Sequence, residues 1–149
     1  MPLLYESAIG YVIGRACHIM RKEFKATLDS AGYDITPEEW GLLNRLWEQD
    51  GRRQAELADA TLRDRTTITR LLDAMVKKGL LRRETDPEDR RAVRAWLTPE
   101  GRALRRELIP VTEALLRRAT RGIARKDLLT TIDTLRALQT NLVTSERGD

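Results

Sequence analysis

The chain has 149 residues, with 27 Lys and Arg against 23 Asp and Glu, 41% apolar residues and 5% aromatic. That is one domain's length, enough to bury roughly 70% of the surface exposed by the unfolded chain, and the composition is not that of a disordered polymer. One cysteine and one histidine exclude an internal disulfide framework and a conventional four-ligand Cys/His zinc site. Residues 1–6 lack a basic region followed by an apolar run, and no stretch approaches the ~18 apolar residues of a membrane span. A soluble, cytoplasmic protein without a membrane partner is expected. The net charge of +4 is uneven: residues 63–94 hold 10 basic against 6 acidic side chains, and residues 101–149 again 10 against 6. Such a distribution suits a polyanion and equally a solvated face.

In chain order, Ile9, Ile13, Ala16, Met20, Phe24 and Leu28 recur in steps of three or four and predict a first amphipathic helix, ended by Gly32. Thr36-Pro37-Glu38-Glu39 is a helix start with a capping box, and the second helix runs to about Glu48. Asp50-Gly51 makes a turn before a short helix from about Gln54 to Ala60, with Leu57 and Ala58 inward. Asp64 caps the next helix, whose apolar face is Ile68, Leu71, Leu72, Met75 and Val76 and which stops at Gly79. Its opposite face carries Arg65, Thr66, Thr69, Arg70, Asp73 and Lys77. Thr67 is expected to point toward the preceding helix.

Two helices joined by a short turn, the second with a polar and basic outer face, fit a helix-turn-helix. Residues 80–85 and 92–97 read as strands around the polar turn 86–91, a basic hairpin that forms a wing. Alternation places Val93, Ala95 and Leu97 inward with Arg94 and Trp96 outward. Thr98-Pro99 opens a further helix with Leu104, Leu108, Val111, Leu115 and Leu116, in which Pro110 is expected to produce a kink. After Gly122 a last helix carries Leu128, Ile132, Leu135, Leu138 and Leu142, ending near Ser145, with residues 147–149 frayed.

The run Asp89-Arg90-Arg91-Ala92-Val93-Arg94-Ala95-Trp96-Leu97-Thr98-Pro99-Glu100-Gly101 resembles the wing signature of the MarR family of bacterial winged-helix regulators. Glu56-Leu57-Ala58, the stretch from Thr67 to Leu81 and Ile35-Thr36-Pro37-Glu38-Glu39-Trp40 support the resemblance. One departure is Leu62, where many members have a glycine in the helix-turn-helix turn. The resemblance implies a mainly α fold with a small β-wing: a winged helix-turn-helix lobe (35–98) between an N-terminal dimerisation helix (1–34) and C-terminal dimerisation helices (99–149). It implies a homodimer on double-stranded DNA, and the terminal apolar stripes agree, since each needs a partner surface.

In such a protein the helix from 65 to 78 enters the major groove. Arg65, Thr66, Thr69 and Arg70 are the candidates to meet base edges, arginine pairing bidentately with guanine and threonine through its hydroxyl or a thymine methyl. Arg91 matches the family's wing-tip arginine in the minor groove, braced by Asp89 and assisted by Arg90. Lys77, Arg82, Arg83 and Arg94 read as phosphate contacts or solvent-facing charge. The resemblance implies a sequence-specific transcriptional regulator, by the family's commoner habit a repressor although no residue encodes that choice, on a pseudo-palindromic operator with half-sites about 34–36 Å apart.

Many family members release DNA when a small aromatic acid or phenol binds. Tyr11, Arg15, His18, Trp40 and Trp47 could line such a cleft, although seven-residue spacing also makes Trp40 and Trp47 ordinary core residues. Cys17 reads as a packing residue and His18 as an ordinary helix residue; a repressor switched by oxidation of Cys17 is the alternative. A helical structural dimer without DNA function is a second alternative. No cofactor is expected and no enzyme, because no nucleophile elbow, phosphate-cradling glycine loop or metal motif occurs.

Overall fold

The computed structural model describes residues 8–145; the readings of residues 1–6 and 147–149 fall outside it. Along the described chain lie α1 (Ile9–Ser30), α2 (Pro37–Glu48), β1 (Arg52–Arg53), α3 (Gln54–Thr61), α4 (Arg65–Lys77), β2 (Leu81–Thr85), β3 (Val93–Leu97), α5 (Pro99–Ala119) and α6 (Arg125–Ser145). The backbone separates into a unit ending at Leu115 and another beginning at Leu116, and the division falls inside α5. The fold is mainly α with a small antiparallel sheet, a winged helix.

The helix starts follow their capping residues. The Thr36 hydroxyl accepts from the Glu39 amide (3.1 Å) while the Glu39 carboxylate accepts from the Thr36 amide (3.0 Å). Buried Glu39 also takes the Lys78 ammonium at 2.9 and 3.0 Å, tying the start of α2 to the end of α4. Asp64 caps α4 through its Oδ1, which accepts from the Thr67 amide at 2.7 Å. The Thr67 hydroxyl turns back to Asp64 Oδ2 (3.0 Å). Leu42, Leu43 and Leu46 of α2, Leu57 of α3 and Ile68, Leu72 and Met75 of α4 form the core with Leu28 and Leu108. Pro110 leaves α5 one helix from Pro99 to Ala119.

The sheet has the order β1-β3-β2, with Leu81 opposite Leu97, Thr85 opposite Val93 and Arg53 opposite Arg94. β1 was not expected, since two residues show no alternation. It makes β3 the central strand, and this corrects the outward placement of Arg94 and Trp96: both are half-buried. Trp96 packs over Gly51, where a Cβ would overlap the indole ring, and Arg82 stacks on it at 5.6 Å from the ring centroid. Gly51 has φ +70°, a conformation open to glycine at little cost. At Gly101 a Cβ would overlap the Leu80 carbonyl oxygen, so α5 begins in backbone contact with the strand region.

Asp86, fully buried at the root of the wing, holds three donors: its Oδ1 accepts from the Glu88 amide (2.8 Å), and its Oδ2 from Arg53 Nε (2.7 Å) and Arg94 Nε (2.8 Å). The Glu88 amide, opposed by burial and assisted by the Arg53 and Arg94 guanidiniums, holds its carboxyl down to about 2. Arg94 Nη1 donates onward to the Gly51 carbonyl at 2.7 Å. Arg94 is therefore tied into the fold rather than a free solvent-facing charge. Arg83 likewise pairs with Asp73, and Arg82 with Glu84.

Leu62 occupies the turn between α3 and α4 at φ 53°, ψ 39° and is 85% exposed, so the left-handed geometry is kept without glycine. A leucine there carries roughly 1–2 kcal/mol of steric cost, partly offset by the stiffer unfolded chain. Leu62→Gly should therefore raise stability by about 0.5–1 kcal/mol, read from denaturant melts; a loss of stability would show that the turn is not strained. Asp86 supplies a second expectation. Its folded value lies below the ordinary 3.8, so its stabilisation is complete above that pH and disappears as pH falls through about 2. Asp86→Asn should start less stable and lose less between pH 4 and 2; parallel acid-unfolding curves would refute this.

Candidate nucleic-acid interface

The local sequence sets the first turns of α4 against the wing. Asp64 fixes where α4 starts, which puts Arg65 and Thr69 one turn apart on one face, both exposed. The Thr67 amide, with its hydroxyl, holds the Asp64 carboxyl below the ordinary aspartate value, so the cap is ionised near neutrality. Across from that face the turn after β2 is closed by Asp89, whose Oδ1 accepts from the Arg91 amide at 3.0 Å and lies 3.5 Å from Arg91 Nε. The Arg91 side chain is 94% exposed, projecting from a backbone that Asp89 has fixed.

A groove of about 580 Å³ opens between the start of α3, the first turns of α4 and the wing, lined among others by Arg53, Gln54, Arg65, Thr69, Asp89 and Arg91. Four of the residues singled out from sequence thus meet on one surface: Arg65, Thr69, Asp89 and Arg91. Thr66, Arg70 and Arg90 are exposed beside it and do not line it. Thr69 is hydrogen-bonded already, its hydroxyl donating to the Arg65 carbonyl (2.9 Å) and accepting from Gln54 Nε2 (3.2 Å). That leaves its methyl and one lone pair for a ligand, while Arg65 and Arg91 present guanidinium donors suited to guanine edges or phosphate oxygens.

Arg53 and Gln54 were missed by the sequence reading. The usable signal was chemical: Arg53 stands at the N-cap position of α3, where Ser, Thr, Asp or Asn would accept a backbone N–H and arginine has no acceptor to offer. Glu56 supplies only the returning half of a capping box, its Oε2 accepting from the Arg53 amide at 3.3 Å.

Among the described residues, the five expected to line an effector cleft fall in two separate places. Tyr11 and Arg15 line a shallow groove on α1 with Val12, Ala16 and Ile19, and His18 is exposed on the same helix. Trp40 and Trp47 belong instead to an aromatic row: Phe24 and Trp40 centroids lie 5.6 Å apart, and Trp40 and Trp47 centroids 5.4 Å. Trp47 Nε1 donates to the Gly101 carbonyl at 3.0 Å, so this row joins α2 to the start of α5. The separation arises because α1 meets α2 through Arg21, paired with Glu38, and Phe24, turns later than Tyr11, Arg15 and His18. Cys17, expected to be a packing residue, is exposed for the same reason.

A family model described as the MarR family matches residues 35–93, the span from the start of α2 into the wing. The HTH-type transcriptional regulator YsmB of Bacillus subtilis (strain 168), itself uncharacterised, is 33% identical over 116 residues, 78% of each chain. The transcriptional regulator HosA of Escherichia coli O111:H- is 30% identical over 82 residues, 55% of this chain, and the chain spans about 61% of that relative's length. Among solved structures, BpsR of Bordetella bronchiseptica, described for regulation of its DNA binding by 6-hydroxynicotinic acid, superposes with a TM-score of 0.84 at 25% identity. That alignment covers 93% of this chain and 98% of the other. With the wing, the helix-turn-helix and this breadth of similarity in agreement, the chain belongs to the MarR family.

Proposed function

We propose that the protein is a sequence-specific DNA-binding transcriptional repressor that acts as a homodimer on a pseudo-palindromic operator and is released by a small aromatic acid or phenol. The observation that carries the proposal is the groove in which Arg65 and Thr69 of α4 face Arg91 of the wing. On this reading α4 lies in the major groove, with Arg65, Thr66, Thr69 and Arg70 toward base edges. Arg91, with Asp89 beneath it and Arg90 beside it, enters the adjacent minor groove. The DNA binding of BpsR supports the assignment, since this chain shares its fold over nearly the full length.

The dimer rests on apolar surface left open in the single chain. On α1, Ile9 is 56% exposed and Met20 50%; on α6, Ile132 is 44% and Leu142 63%. Soluble monomers rarely expose contiguous stripes of this kind, and a two-fold partner covers them. The α1 groove at Tyr11 and Arg15 is the place for the effector: an aromatic wall and a guanidinium suit a ring bearing a carboxylate, and the second copy closes the open side.

Selection from a random duplex library, followed by fluorescence anisotropy across a salt series, tests the proposal. Enrichment of an inverted repeat with half-sites about one helical turn apart is the expected result, and unselective binding would overturn it. Arg91→Ala should weaken operator binding by about tenfold or more, within the 1–3 kcal/mol of a good base-edge contact, while sedimentation still shows a dimer. An unchanged affinity would remove Arg91 from the interface.

A further inference from the structure

Three arginines line the groove between α4 and the wing, and Arg53 enters it from the start of α3 rather than from either wall that the sequence singled out. It is gripped at one atom. Its Nε donates to Asp86 Oδ2 at 2.7 Å, and among the described residues no hydrogen bond holds its Nη1 or Nη2. Glu88 Oε2 lies 4.0 Å from Nη2, beyond hydrogen-bond reach and on a side chain that is 83% exposed. The Arg53 side chain is itself 34% exposed. Asp86 is fully buried, with its other oxygen on the Glu88 amide, so the anchor is fixed by the fold while the terminal N–H groups of the guanidinium fork stay unbonded. Arg94 shares Oδ2 and differs in both respects: its Nη1 donates to the Gly51 carbonyl, and it does not line the groove.

We infer that Arg53 is a phosphate ligand for the DNA strand that passes between α4 and the wing. The inference rests on the DNA-binding reading of the preceding subsection, which sets α4 in the major groove and Arg91 in the adjacent minor groove. A sugar–phosphate strand separates those two grooves of a duplex, so with α4 on one side of it and the wing on the other, the strand runs through the space between them. That space is the groove of about 580 Å³, and Arg53 stands in its wall. A phosphate oxygen is the acceptor that the terminal N–H groups lack, and a planar guanidinium meets it with a pair of charge-assisted hydrogen bonds. Because Nε is already tied to Asp86, less side-chain freedom is lost when the contact forms. Such a contact fixes the register of the protein on the duplex and carries no sequence information, which distinguishes Arg53 from the base-reading candidates on α4.

The test uses the full chain, the selected operator and a scrambled duplex, with anisotropy across a salt series for wild type, Arg53→Gln and Arg94→Gln. Arg53→Gln is expected to weaken both duplexes several-fold and to a similar extent, and to make the slope of log K against log salt shallower by about 0.9 for each subunit bound. Arg94→Gln takes an equivalent bond from Asp86 but no cation from the groove, and is expected to keep the wild-type slope. An unchanged slope in Arg53→Gln would overturn the inference, and so would a loss confined to the operator, which is the mark of a base contact. An equal slope change in Arg94→Gln would also overturn it, because the effect would then come through the Asp86 junction. A methylphosphonate scan of the operator needs no variant to fold. With wild type, neutralising a phosphate between the bases met by α4 and the minor groove met by Arg91 is expected to weaken binding several-fold, and the absence of any sensitive phosphate in that interval would refute the contact. A wild type that selects no operator overturns the DNA-binding reading and this inference with it, whereas a wild type that selects one isolates the inference.

Discussion

A carboxylate with no contact to water must find its solvation in the protein, and the wing is organised around that requirement. Asp86 meets it with one backbone amide and two guanidiniums, drawn from the wing turn, from β3 and from the residue that opens α3. Removing one partner of such a group leaves a buried charge short of compensation, so the three segments are held together more firmly than two short strands and an eight-residue helix could manage alone. The groove between α4 and the wing inherits its shape from this junction. Glu39 plays a comparable part at the far side of the lobe, where it closes the capping box of α2 and receives Lys78 from the end of α4.

Much of this lobe was legible because its signals are local. Thr36 with Glu39 and Asp64 ahead of α4 act through bonds spanning three residues, and the leucines of α2 and α4 declare their inner faces by periodicity. The two wing strands were placed to within one residue at each start. What sequence could not show was pairing at a distance. β1 is only two residues long, so it has no pattern of its own and exists through its partner β3. Without it, alternation sends Arg94 and Trp96 to solvent; with it, Gly51 arrives beneath the indole and Asp86 collects Arg53 and Arg94. Trp40 and Trp47 illustrate the same limit from another side. Their spacing identifies a shared helix face but not what faces it, and the neighbours proved to be Phe24 and the Gly101 carbonyl rather than Tyr11 and Arg15.

The helices also divide by how far the chain covers them. α2 and α4 bury their apolar residues within the lobe, whereas the first half of α1 and the length of α6 keep theirs half-open or exposed. Periodicity records that a face is apolar and is silent about whether the cover comes from the same chain. Cys17 and His18 lie in this exposed stretch of α1, where the fold itself sets little of their surroundings.

Gly51 and Gly101 stand at the two ends of the wing region, one under the Trp96 ring and the other against the Leu80 carbonyl. In genetic terms their codons are free at the third base alone, because every change at the first or second base of a glycine codon either adds a side chain or ends translation. An atom added at either position meets something already there. The gene is thus pinned at two sites by contacts inside the fold, and any change of sequence in α4 is made between fixed points on the backbone.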